Sequence, residues 1–215
     1  MLTMYGVELV KTLYMTLAST AIAYLIGLPI GVLLIVTDKG RHPFIRFLNA
    51  LIGLPVNFLR SIPFLILMIA LFPFTALIIG TTIGPNAAIV ALVVGSAPFI
   101  ARLVESSLRE VDSGVIEAAQ SMGASTAQIV RKVLLPEALP SLIVGATIAV
   151  TTILSYSAMA GILGAGGLGD VAIRYGLYRY DTPTMLVTLV LLVLLVQTMQ
   201  EAGMKLAKIV DRRIN

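Results

Sequence analysis

Four stretches of this chain, 12–37, 61–101, 138–169 and 182–200, contain no Asp, Glu, Lys or Arg. Soluble domains carry about 25% charged residues, spread along their length. Here the share is 12%, against 58% hydrophobic residues. That is too little polar surface to cover a globule in water, so the uncharged stretches belong in lipid. Within lipid every backbone N–H and C=O needs a partner inside the protein, which only helices or a closed barrel provide. Barrel strands would show alternation over ~10 residues. These runs are long and continuous, and the class is an all-α polytopic membrane protein.

A bilayer core takes ~20 apolar residues per helix. The first and last stretches therefore hold one span each, near 13–36 and 183–204. The second holds two, 61–79 and 86–105, separated at "GTTIGP" (80–85), where glycines and Pro85 mark a turn. The third holds one, 138–163, and passes into the glycine-rich "GILGAGGLG" (161–169). Five transmembrane helices in a single domain over 1–215 are expected. Residues 47–59 are uncharged but too short to span, and are read either as lying in the interface or as leading into the second helix. "AIA" (21–23) has the form of a signal-peptide cleavage site, but the apolar run continues to Val36, which favours a retained helix.

With five spans the termini lie on opposite sides. Of the fifteen lysines and arginines, all but Lys11, Arg174 and Arg179 collect on one side. Basic residues accumulate in cytoplasmic loops, so the N-terminus is expected outside and the C-terminus in the cytoplasm. Residues 106–137 then face the cytoplasm. The net charge of +4 reports this topology, and no nucleic-acid partner is expected.

The chemistry that is missing narrows the function. All eleven acids fall at or beyond the expected membrane ends. A self-sufficient secondary transporter or channel, the alternative reading, would keep an ionisable or ion-binding site at mid-membrane. An enzyme is not expected either: there is no cysteine, and the single histidine, His42, sits in the basic loop "DKGRHPFIR" without a cluster of ligands. No G-x-x-x-x-G-K-[ST] is present, so the chain has no phosphate-binding loop for ATP. "GAGGLG" (164–169) spells G-x-G-x-x-G but follows a membrane helix, not a strand. It is read as a flexible outer turn with close backbone packing. "GLPIG" (27–31) is G-x-x-x-G in an apolar run, either a helix–helix seat or a chance pattern.

The cytoplasmic segment "EAAQSMGASTAQIVRKVLLPEALPSL" (117–142) reads as two short helices. Asp112 or Ser113 caps the first, which stops at Gly123 in the left-handed conformation. "STAQ" (125–128) forms a capping box that opens the second, and Pro136 ends it. Pro136 and Pro140 are placed for the first turn of the next membrane helix. Ala118, Ala119, Ser121 and Gly123 thin one side of the first helix, which suits insertion into another protein's groove.

This segment closely resembles the EAA loop of bacterial ABC importer permeases: Glu117-Ala118-Ala119, three residues, Gly123, nine residues, then Val133-Leu134-Leu135-Pro136. The family usually has isoleucine at the position of Val133. "RSIPFLILM" (60–68), "SAPFIARLVESSL" (96–108) and "YSAMAGILGAGGLG" (156–169) are similar to the methionine-importer permeases of that family. The resemblance implies an ABC type I importer transmembrane fold. It makes Glu117, Ala118, Ala119 and Gly123 the surface that couples to a separate ATPase. The implied partners are two copies of an ATP-binding cassette ATPase, which hold the ATP and Mg, a second copy of this chain, and a periplasmic or lipid-anchored binding protein. This chain itself would need no cofactor, and would lie in the bacterial inner membrane. In a dimer, "TTILSYSAMAG" (151–161) would line a path between the copies. Tyr156 and Ser157 are read either as path lining or as helix–helix hydrogen bonding, and Met159 either as an adaptable thioether in the path or as packing.

Overall fold

The protein is described from a computed structural model over residues 2–38 and 43–211, and every regular element among the described residues is helical. His42 lies outside them, as do Lys39, Arg41, Arg212 and Arg213 of the charge count. Helix α1 (Leu2–Asp38) starts well before the expected position 13. Glu8 and Lys11 do not exclude its first turns, because three residues apart on a helix they neutralise each other at 2.7 Å.

Helix α2 (Pro43–Ser61) carries residues 47–59 and leads into the second span, the second of the two readings. That span is not one straight helix. Pro63 holds extended backbone (φ −56°, ψ 132°), so the chain breaks and α3 (Phe64–Ala70) leaves α2 at 106°. Leu71 hands α3 on to α4 (Phe72–Ile79), which stops at Gly80 with φ +80°. Helix α5 (Pro85–Arg109) follows. Next come the loop helices α6 (Ser113–Ser121), α7 (Thr126–Ile129) and α8 (Leu135–Glu137), then α9 (Leu139–Ala160), the short α10 (Gly167–Val171) and α11 (Thr182–Val210). Among the described residues four helices, α1, α5, α9 and α11, are long and apolar enough to cross a membrane, and the bent pair α2/α3 makes a fifth span when counted as one.

The core is α1 packed on α5, and the G-x-x-x-G of α1 is its seat. A Cβ on Gly27 would lie 2.8 Å from Ile100 Cγ2, and one on Gly31 only 2.6 Å from the Ala101 carbonyl oxygen. Side chains there would force the backbones apart. Helix α9 packs on α5, α1 and α11, and most of α11 presents leucines and valines outward.

Pro136 does not end the second loop helix as expected. Between Val130 and Leu134 the helix widens by one residue, and the Leu135 N–H reaches back to the Val130 carbonyl. Proline in a helix clashes with the carbonyl four residues back; a wide turn immediately before it displaces that carbonyl. The break comes at Ala138 (φ −82°, ψ −2°), and Pro140 then sits in the first turn of α9 as expected.

The glycine-rich turn packs closely, as expected, but is clamped instead of loose. A Cβ on Gly169 would lie 2.2 Å from the Ala158 carbonyl oxygen. The Gly84 N–H donates to the Gly164 carbonyl at 3.0 Å, tying the 80–84 turn to the same corner.

Candidate coupling surface and translocation path

Residues 106–109 are the last turn of α5, and 113–137 fold as α6 and a second continuous helical run from α7 through α8, locked at both junctions. The Asp112 carboxylate accepts from the Gly114 N–H at 2.7 Å and caps α6. At the other end the Gly123 N–H donates to the Gln120 carbonyl (2.9 Å) and the Ala124 N–H to the Ala119 carbonyl (3.0 Å). This paired closure needs a left-handed residue at its centre, and Gly123 has φ +77°. One residue on, the Ser125 hydroxyl accepts from the Gln128 N–H (3.4 Å) while the Gln128 side chain accepts from the Ser125 N–H (2.8 Å). Both members of the capping box are present.

None of the residues of α6 is buried. Glu117 and Ala118 are exposed, Ala119 is half-buried, and Gly123 is exposed. Ile116 and Gln120 face a cavity of about 500 Å³ shared with Ile35, Arg109 and Leu134. The opposite side carries Val115, Ala118 and Met122, and Met122 is 87% exposed. Their i, i+3, i+7 spacing is a helix-face signal that the run of small residues hides. An apolar, exposed face on a doubly capped helix is the surface a groove in another protein would cover.

Behind α6 lies a charge network that joins three helices. Glu105, with its side chain 7% exposed, pairs with Arg102 at 2.5 Å and Arg109 at 2.7 Å. Arg109 also reaches Asp38 at the end of α1 (3.1 Å), and Arg102 donates to the Asn57 side-chain oxygen on α2 (2.8 Å). Removing one partner of a buried pair leaves an uncompensated charge, so the network binds the ends of α1, α2 and α5 together. Its spacing along α5 (102, 105, 109) is legible as a helix ladder. Its links to α1 and α2 are not.

The three residues expected along the path go to different places. The Tyr156 ring stacks on Phe64 of α3, with centroids 4.4 Å apart and planes 3° from parallel. Ser157 is buried, and its hydroxyl donates to the Leu154 carbonyl of its own helix at 2.7 Å. Met159 is 38% exposed on the single chain. Tyr156 thus meets the bend after α2, whereas Ser157 meets its own backbone.

The family described as "Binding-protein-dependent transport system inner membrane component" matches residues 27–215. A probable D-methionine transport system permease protein, MetI, of Vibrio cholerae is 54% identical over 203 residues, covering 94% of this chain and 90% of that protein. The methionine import system permease protein MetP of Bacillus subtilis is 48% identical over 181 residues, covering 84% and 82%. Among solved structures, a chain of the MetNI methionine ABC transporter in an inward-facing conformation superposes with a TM-score of 0.95. It is 49% identical, with 99% of this chain and 98% of that one covered.

Proposed function

We propose, from the premise that this chain belongs to the family of binding-protein-dependent transport system inner membrane components, that it is the membrane-spanning subunit of an ATP-driven methionine importer. Two copies form the conduit, each docked on one ATP-binding cassette ATPase, and a binding protein delivers methionine from outside. The observation that carries this reading is α6. It is a helix capped at both ends, with the exposed apolar face of Val115, Ala118 and Met122, on a chain 54% identical to a probable D-methionine permease.

The physics of the coupling follows from the caps. A flexible loop docked on a moving partner would absorb the motion. The hydrogen bonds at Asp112, Gly123 and Ser125 pass it on to α5 and, through Pro140, to α9. ATP binding and hydrolysis on the partners favour the outward- and inward-open states differently, and that differential affinity shifts their populations. Glu117, Ala118, Ala119 and Gly123 contact the ATPase. Tyr156, Ser157 and Met159 belong to the helix beside the path. The N-terminus faces outward and the C-terminus the cytoplasm.

The test is reconstitution. The chain is co-expressed with a candidate ATPase, purified, and placed in vesicles with the binding protein and ATP. ATP-dependent accumulation of labelled methionine is expected. A chain that purifies without any ATPase and transports alone would establish the secondary-carrier reading instead.

A further inference from the structure

The bend between α2 and α3 opens a cavity of about 220 Å³ bounded by Arg60, Phe64, Leu67, Gly95, Phe99 and Tyr156. This is somewhat below the ~300–1,000 Å³ of pockets for drug-sized ligands, the scale of a small-molecule subsite. Its depth depends on Gly95, where a Cβ would come within 3.2 Å of Phe64 and 3.4 Å of Leu67. The stacked Phe64–Tyr156 pair and Phe99 supply three aromatic rings.

Arg60 is the only charged residue of the lining among the described residues. It stands in the last turn of α2, where the negative end of the helix favours a cation. The helix end does not occupy the forked donors of a guanidinium, however. Arg102, Arg109 and Arg174 each pair with a carboxylate, whereas none pairs with Arg60 among the described residues. Arg60 is exposed on the single chain, so its guanidinium is open to an anion. With no acid in the lining among the described residues, an anion meets Arg60 without competition.

We propose that this cavity is a substrate subsite on the permease for a single α-amino acid with an unbranched, polarisable side chain. The carboxylate of the amino acid takes two N–H donors of Arg60, the arrangement that planar guanidinium and carboxylate groups favour. The side chain lies against Phe64, Phe99 and Tyr156, where a thioether gains sulfur–aromatic contacts. Because the walls come from α2, α3, α5 and α9, any shift between those helices opens or closes the cavity, so affinity differs between transport states. The proposal rests on the reading of the chain as an amino-acid importer subunit.

The experiment uses the assembled complex of permease, ATPase and binding protein in vesicles, with a diazirine analogue of methionine as the photoactivatable probe. Label is expected on peptides carrying Phe64, Phe99 or Tyr156. In Arg60→Gln it should fall by about 10- to 100-fold, the range of a charge-assisted hydrogen bond, and the KM for uptake should rise. Arg60→Lys, a point charge without the fork, should fall between. Wild-type vesicles that take up no methionine would sink the importer reading itself. Wild-type uptake with label mapping elsewhere on the permease would overturn the subsite alone, and so would an Arg60→Gln complex with unchanged label and KM. Where Arg60→Gln does not assemble, the wild-type label position decides. Phe99→Leu then serves as the second variant, with label expected to fall several-fold.

Discussion

The Glu8 carboxylate accepts a hydrogen bond from the Gly167 N–H at 2.6 Å, while its other oxygen accepts from Lys11 at 2.7 Å. One turn on, the Thr12 hydroxyl accepts from the Leu168 N–H at 2.8 Å. Two side chains of α1 thus satisfy the first free N–H groups of α10, whose own N-cap is the bare Gly166. Glu8→Ala removes a charged acceptor from a mostly buried donor and should cost about 1.5–3 kcal/mol. Glu8→Gln keeps an amide oxygen and should lie between. Thermal unfolding of the detergent-purified permease checks the order wild type, Gln, Ala. Equal melting of Ala and wild type would show that the corner is held by something else.

Gly31 offers a cleaner test of the α1–α5 seat. The atom its Cβ would strike at 2.6 Å is the backbone oxygen of Ala101, which no rotamer change can move. Gly31→Ala should therefore destabilise by about 1–3 kcal/mol, as overpacked cores do. Gly6 lies on the same helix with nothing within 4 Å, so Gly6→Ala should be neutral or slightly stabilising through helix propensity. Yield and melting temperature of the two variants should diverge. If both behave alike, the close approach of the two helices is wrong.

Features set by local rules were legible in the chain. Charge exclusion from lipid located the spans, and Asp112, Gly123 and Ser125–Gln128 announced the caps because capping depends on neighbours three residues away. The G-x-x-x-G of α1 was visible, but its partner was not. Contacts that depend on how distant helices meet were illegible. The Phe64–Tyr156 stack and the Arg109–Asp38 pair join segments far apart in the chain. Pro136 misled because a wide turn, which no residue of "VRKVL" signals, lets a helix run through proline. Glu8 and Lys11 misled differently: each reads alone as a membrane boundary, whereas both sit inside α1, paired with each other.

At Gly123 the expected damage is to geometry alone. Its φ of +77° suits glycine, and a Cβ there meets nothing within 4 Å, so substitution strains the backbone without a clash. Gly123→Val should cost about 1–2 kcal/mol locally. Gly123→Asn should cost less, since asparagine tolerates the left-handed region. Both variants should insert normally, with the valine form showing weaker ATPase association or uncoupled ATP turnover. Wild-type coupling in the valine variant would mean that the orientation of α6 does not matter.

Orientation is testable by single cysteines, since the chain has none of its own. Gly167 is a poor site, because it is buried and a Cβ there would come 2.7 Å from the Thr12 hydroxyl. Tyr178 is 68% exposed in the same region, and Ser125 is exposed in the coupling loop. In intact cells an impermeant thiol reagent should label Tyr178→Cys and spare Ser125→Cys. The reverse pattern would invert the topology and place α6 away from any cytoplasmic ATPase.

Met159 decides whether α9 borders the conduit. Its side chain is 38% exposed on the single chain, so it is free to face lipid, a second copy or the path between copies. In a two-fold dimer each substitution acts twice. If Met159 lies near the axis, Met159→Ala removes two adaptable side chains from a constriction, and Met159→Trp adds bulk from both sides. The first should loosen the gate or relax selectivity; the second should block uptake while leaving assembly with the ATPase intact. A packing role predicts something else, because a cavity or an overpacked contact lowers stability by about 1–5 kcal/mol and reduces the amount of assembled complex. Uptake per assembled complex separates the two outcomes. Opposite changes in uptake at constant yield place Met159 in the path, whereas loss of transport in step with loss of complex in both variants assigns it to packing.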